Sequence, residues 1–296
     1  MSDLEKLYCF RLEDPSGEFE PATEMLDAIE LPYSSYFERG NMSVVHTVYA
    51  ETAAEAQQLL EQVNSMLPVW QDMGIELIPG EIFELKKSDW ADVWKKYFQP
   101  VEISQKLLVS PAWMDPELKP GQQMLKIDTG MSFGTGQHPT TFYCLKKIDE
   151  LADKVSSLLD AGCGSGILSV AALIKKIAWV EGFDFDPDAV KMSEENLKLN
   201  GFDSDSMHLE CGDAGNYPGR AEKYDMVCAN ILGHLLITFR FNIASWVKPG
   251  GYLVLAGILQ RDFDKVAESF VEIGFTEAER ETIGEWTGGL FIKSNS

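Results

Sequence analysis

The chain has 296 residues, of which 45 % are hydrophobic and 24 % charged, and its formal net charge is −22. That length suffices for one large or two ordinary domains with proper cores, while no apolar run approaches the roughly 18 residues needed to cross a bilayer. Nucleic-acid binding needs clustered Lys and Arg, which the acidic balance argues against.

The first residues, Met-Ser-Asp-Leu-Glu-Lys, lack the basic and apolar regions of a secretory signal. Five scattered cysteines (Cys9, Cys144, Cys163, Cys211 and Cys228) form no C-x-x-C pair. They read as reduced packing residues, with no zinc site. A monomeric cytoplasmic enzyme is the expectation. Residues 1–85 hold 17 Asp plus Glu against 3 Lys plus Arg, a net of −14, so the other 211 residues carry only −8. Such asymmetry is either a well-solvated surface or a field that attracts a basic macromolecule.

From the start, residues 8–13 predict a strand and Ala22 to Leu31 a short helix. Met42 to Ala50 alternates as a second strand. Thr52 is placed to cap a helix running to about Leu67, with Glu55 three residues on. Ile75 to Leu85 predicts a further strand around the Pro79-Gly80 turn. Alternation of this kind makes a small α/β or α+β module. A helical linker follows over 86–100, bounded by Ser88 and Pro100, with Trp90, Trp94 and Phe98 on one face. Those aromatics either pack the linker onto a domain or line a substrate channel.

A strand at Lys106 to Ser110 and a Pro-rich turn region precede Ile127-Asp-Thr-Gly-Met-Ser-Phe-Gly-Thr-Gly-Gln-His-Pro-Thr-Thr141. This Gly- and Thr-rich loop, with Thr140 or Thr141 opening a helix, is a candidate ligand cradle. His138 titrates near neutrality, but before Pro139 an extended structural role is equally open.

The segment Ser157-Leu-Leu-Asp-Ala-Gly-Cys-Gly-Ser-Gly-Ile-Leu-Ser169 organises the chain. An apolar run ends at Asp160, glycines follow at Gly162, Gly164 and Gly166, and an apolar helix begins at Ile167. Strand, tight turn and helix start together make a nucleotide-like cradle. Dinucleotide sites want G-x-G-x-x-G, and the P-loop wants Lys-Ser or Lys-Thr after its glycines. Neither pattern is present, and D-x-G-x-G-x-G resembles motif I of Rossmann-like enzymes that bind S-adenosylmethionine.

Downstream, Trp179 to Pro187 predicts a strand ending in acid, with Asp184 the preferred carboxylate to accept both ribose hydroxyls. Asp186 before Pro187 reads as the cap of the next helix. Met207 to Ala214 predicts a strand and loop, with Asp213 either an adenine acceptor or an ordinary turn residue. Lys223 to Leu232 is a fourth strand with Asn230 at its carboxyl end, where open α/β sheets bind ligands. Its carboxamide offers an acceptor and donors to an amine, or else satisfies backbone. A helix from His234 to Val247, a Lys-Pro-Gly-Gly turn, a strand at Tyr252 to Ala256, a helix at Gln260 to Ile273 and a β-rich tail complete the reading.

Together these segments resemble the PrmA family, methyltransferases of the large-subunit ribosomal stalk-base protein number eleven. The matching stretches are DWADVWKKYFQP, GMSFGTGQHPTT, DAGCGSGILSVAAL, GFDFDPDAV, CANIL, AGILQ and GEWTGGLFIK, from about residue 84 onward. The resemblance implies a Rossmann-like, S-adenosylmethionine-dependent methyltransferase domain with a seven-stranded sheet over 101–296. Before it would come a helical linker (86–100) and a small α/β, ferredoxin-like, substrate-recognition domain (1–85). It further implies that Thr141, Gly162, Asp184 and Asn230 contact the cofactor, beside Gly164 and Asp213, and that Asn230 borders an acceptor amine. The implied substrate is a basic ribosomal protein, methylated on lysine or N-terminal amines. Two departures stand out: Gly-His-Leu-Leu follows A-N-I-L, and Met131-Ser132 replaces a commoner Leu-Ala. Local reshaping of the acceptor pocket is therefore expected. Rival readings are a dehydrogenase, a non-catalytic cofactor- or ribosome-binding module, and a methyltransferase for another acceptor, such as an electron-transfer flavoprotein lysine or a small amine.

Overall fold

The structure is a computed structural model that describes residues 6–17, 19, 21–29, 31–38, 43–86, 99–128 and 138–295. It divides into two compact units, residues 1–97 and 98–296. The expected linker helix, with Trp90, Trp94 and Phe98, and most of the Gly- and Thr-rich loop lie outside the described residues.

The first unit runs β1 (Lys6–Asp14), α1 (Ala22–Ala28), β2 (Tyr33–Glu38), β3 (Ser43–Ala50), α2 (Ala53–Asp72), β4 (Ile78–Pro79) and β5 (Phe83–Lys86). Its sheet is antiparallel, in the order β2-β3-β1-β4, with β5 also pairing β1. Its elements follow one another as β-α-β-β-α-β-β. The strand expected over Ile75 to Leu85 is split in two, because a proline cannot donate to the ladder and Gly80 N turns to donate to Arg11 O at 2.8 Å.

Thr52 caps α2 by accepting from Glu55 N at 3.1 Å, while the Glu55 carboxylate accepts from Glu51 N at 2.9 Å. The helix continues past Leu67 through Pro68 to Asp72. A proline ring inside a helix costs about 3 kcal/mol. Trp70, two residues later, is buried with Phe10, Leu12 and Val63. Truncating a buried Trp costs about 3–5 kcal/mol, so this anchor is enough to hold the last turn helical.

In the second unit, β6 (Val101–Ser104), β7 (Leu107–Pro111) and β8 (Gln123–Ile127) form a small three-stranded sheet. Next come α3 (Pro139–Leu151), β9 (Ser157–Ala161), α4 (Ile167–Ile174), β10 (Trp179–Asp184), α5 (Pro187–Leu199), β11 (His208–Cys211) and β12 (Tyr224–Asn230). The chain ends with α6 (Gly233–Thr238), α7 (Arg240–Trp246), β13 (Val247–Leu259), α8 (Gln260–Val271), β14 (Phe275–Ile283) and β15 (Trp286–Lys293). The main sheet has seven strands, ordered β11-β10-β9-β12-β13-β15-β14. Its first five are parallel and its last two pairings antiparallel.

The sheet is covered on both faces, as parallel strands require. Leu158 of β9 joins a cluster with Leu145 and Ile148 of α3, Val170 of α4 and Leu197 of α5. Its neighbour Leu159 faces the other cluster, with Leu236 of α6, Trp246 of α7 and Phe263 and Phe270 of α8. The order reverses between β9 and β12, and the carboxyl ends there mark the switch-point crevice of a doubly wound fold. The helix expected over His234 to Val247 is broken at Phe239. Thr238 Oγ1 donates back to His234 O at 2.8 Å and Arg240 donates to Ile237 O at 2.8 Å. Back-bonding of this kind bends helices.

Candidate active site

The glycine turn between β9 and α4 is fastened to the end of β10. Gly162 N and Cys163 N both donate to Phe183 O, at 2.9 and 3.0 Å. Gly164 N donates to Asp184 Oδ2 at 2.9 Å, and Asp186 N to Asp184 Oδ1 at 3.1 Å. Gly212 N, from the loop after β11, donates to Asp184 O at 2.8 Å. Asp184 is buried and thus holds three loops together. Each carboxylate oxygen carries two lone pairs, so both retain acceptor capacity toward a ligand hydroxyl. Asp186 caps α5, accepting from Asp188 N at 2.9 Å.

Asp160, at the end of β9, was not singled out for chemistry by the sequence. It is buried and accepts from Ser169 N at 3.1 Å and Ser169 Oγ at 2.7 Å, which draws the first turn of α4 against the strand. Burial raises its carboxyl to about 7, and the nearby Asp184 pushes the same way. Its only legible signal was an acid ending an apolar run.

Across the crevice, Asn230 ends β12 and Thr141 lies in the first turn of α3. Asn230 Nδ2 donates to Thr141 Oγ1 at 3.4 Å. Asn230 Oδ1 is buried and accepts no hydrogen bond among the described residues. Thr140 turns away: its amide donates to His138 Nδ1 at 3.4 Å and its hydroxyl lies 2.8 Å from the same nitrogen. His138 is the cap of α3 and meets Trp286 edge-on, with ring centroids 4.9 Å apart. Burial lowers it to about 4, so the ring is neutral and a weak base.

Asp213 is exposed, and its Oδ1 accepts from Gly215 N at 2.5 Å in a local turn. The turn-residue reading therefore accounts for one of its oxygens. Asn196 of α5 was missed entirely. Buried, it accepts from Asp128 N and donates to Asp128 O, both at 2.8 Å, and donates to Ser165 O at 2.9 Å. It joins the end of β8 to the glycine turn.

The residues present fit an adenosyl sulfonium ligand. The Gly164 amide and the Asp184 carboxylate meet at the ends of β9 and β10, and Asn230 Oδ1, buried at the end of neighbouring β12, accepts no hydrogen bond among the described residues. Fold and site together define a Rossmann-like methyltransferase that uses S-adenosylmethionine.

The family model described as ribosomal protein L11 methyltransferase (PrmA) matches residues 19–293, and the chain belongs to that family. A Streptococcus thermophilus (strain CNRZ 1066) ribosomal protein L11 methyltransferase is 32 % identical over 286 residues, covering 95 % of this chain and 84 % of the relative. The Streptococcus mutans protein of the same name is 33 % identical over 255 residues, covering 86 % of this chain and 80 % of its own length. Among solved structures, a ribosomal protein L11 methylase from Lactobacillus delbrueckii subsp. bulgaricus superposes with a TM-score of 0.61 at 26 % identity. It covers 67 % of this chain and 100 % of its own.

Proposed function

We propose that this chain methylates amines of ribosomal protein L11, lysine side chains foremost, with Asn230 facing the acceptor and Thr141, Gly162, Gly164 and Asp184 holding the donor. Family membership supports the reaction and the substrate. The observation that supports the residue roles is the unpartnered Asn230 Oδ1, buried where β12 meets the first turn of α3.

The donor, when bound, supplies an activated sulfonium methyl. What remains for the protein is placement and desolvation. A lysine of pKa about 10.4 is neutral only about once in a thousand near pH 7.4, and burial in the crevice favours the neutral amine. Asn230 Oδ1 accepts an N–H of that amine and so turns its lone pair away from the carboxamide. Thr141 Oγ1 fixes the carboxamide's orientation by accepting from Nδ2. His138 takes no proton in this scheme, since burial holds it far below lysine and it is committed to capping α3. A single orienting acceptor leaves the amine free to rotate, as repeated methylation demands.

The net charge of −14 over residues 1–85 supports recognition of a basic protein. Five free thiols and no helix, among the described residues, long and apolar enough to cross a membrane accord with a cytoplasmic site of action. The test is to incubate the protein with labelled S-adenosylmethionine and purified L11, then map the label by mass spectrometry. Label on L11 amines that Asn230→Ala cuts strongly is the expected result; no label on L11 would reject the substrate.

A further inference from the structure

Ile231, the residue after Asn230, is enclosed by two glycines, one in the donor turn and one within β13. A Cβ built on Gly162, in the donor turn at φ +76°, would lie 2.6 Å from Ile231 Cγ2. A Cβ built on Gly257, at φ +80°, would lie 2.6 Å from Ile231 O, 2.9 Å from its C and 3.1 Å from its N. The first glycine's missing side chain is therefore space filled by the Ile231 side chain. The second's is space filled by the Ile231 main chain.

Gly257 sits in an irregularity of β13, where pairing with β15 shifts register between Leu255 and Ile258. Parallel pairing with β12 ends just before it, at Asn230 opposite Ala256. The bulge thus begins where the sheet stops supporting Asn230, and it lays bare backbone against the next peptide. Bulges beside active sites commonly re-aim a side chain.

We propose that Gly162, Ile231 and Gly257 form a clamp in which Ile231 is a positioning residue, fixing the acceptor wall at Asn230 relative to the donor turn. This rests on the reading of Asn230 given above. The two contacts differ in kind. Ile231 Cγ2 touches the donor turn, so steric change there is felt in donor binding. A Cβ on Gly257 would meet the Ile231 peptide first, so change there moves the Asn230 side of the crevice and is felt in turnover.

The first arm measures S-adenosylhomocysteine affinity by calorimetry, which needs neither turnover nor acceptor. Gly162→Ala should weaken binding at least tenfold. In that background Ile231→Ala, which removes Cγ2, should restore at least fivefold. Ile231→Val keeps both γ carbons and should restore less than twofold. Recovery is partial because an alanine at positive φ stays strained. Equal recovery by Ala and Val, or none by either, would overturn the clamp.

The second arm takes Gly257→Ala. Its kcat on L11 should fall at least tenfold with KM and S-adenosylhomocysteine affinity within threefold. Unchanged kcat, or parallel loss of affinity and turnover, would overturn the proposal. If thermal melting shows that Gly257→Ala does not fold, the Gly162–Ile231 pair decides alone. Should the wild-type protein methylate no L11 amine, the functional reading fails while the affinity arm still reports on the clamp.

Discussion

Asn230 keeps one buried oxygen without a partner among the described residues, whereas both Asp184 oxygens already hold backbone amides. The two substitutions should therefore fail differently. Asn230→Ala removes one preorganised acceptor, and such groups are worth about 10²–10³ in kcat. Its S-adenosylhomocysteine affinity, read by calorimetry, should stay within about tenfold of wild type (about 1.4 kcal/mol). Asp184→Ala should weaken that affinity and also lower the melting temperature. It leaves the Gly164 and Asp186 amides without their acceptor, at about 1–3 kcal/mol for each buried group left unpaired.

Asp160 carries a pH signature. Its carboxyl is raised from 3.8 to about 7 by burial. Between those values the folded protein holds a proton that the unfolded chain has released. Its stabilising contribution is thus full below about pH 4 and is lost as pH rises through 7. Asp160→Asn retains an oxygen for Ser169 and does not ionise. The melting temperature of the variant minus that of wild type should increase from pH 5 to pH 8, and a flat difference would refute the assignment.

At the scale of elements, α5 serves as a substitute strand for β8. Asn200 accepts from Lys126 N at 2.8 Å and donates to Lys126 O at 2.7 Å, and Asn196 does the same for Asp128 one turn earlier along the helix. Two carboxamides at i, i+4 thereby satisfy alternate residues of an otherwise open edge. Asn196→Ala removes three hydrogen bonds to backbone groups of Asp128 and Ser165 and should cost about 2–4 kcal/mol in denaturant unfolding. Asn200→Ala, farther from the donor turn, should spare S-adenosylhomocysteine affinity more than Asn196→Ala does.

What the sequence shows plainly is what local chemistry dictates. Thr52 with Glu55, and Asp186 before Pro187, cap their helices because a cap is built within three residues. The glycine spacing and the acid that follows it announced the Rossmann-like fold for a similar reason. The Asn196–Asp128 tie spans 68 residues and the contact of Gly257 with Ile231 links β13 to the residue after β12. No periodicity encodes either. The strands β6 and β8 escaped notice because they are four and five residues long and only partly buried. The break at Phe239 depends on Thr238 and Arg240 finding backbone carbonyls, which helical periodicity does not disclose.

For the whole molecule, charge and topology matter most. With −14 concentrated in residues 1–85, the proposed recognition of a basic acceptor implies steering by a field that salt screens within about 10 Å at 0.1 M. The kcat/KM for L11 should fall as salt rises from low to physiological strength, with S-adenosylhomocysteine affinity much less affected. An acceptor kcat/KM indifferent to salt would reject steering.

The sheet also has an order of assembly. β15 follows β14 in the chain, yet it lies between β13 and β14 and pairs both antiparallel. While the protein is being made, β13 and β14 therefore emerge with an interior slot between them and no partner to fill it. Only when residues 286–293 arrive can that half of the sheet close and Trp286 meet His138 at the start of α3. A nascent chain short of that strand has open ladder edges on either side of the gap, the kind that recruit other chains.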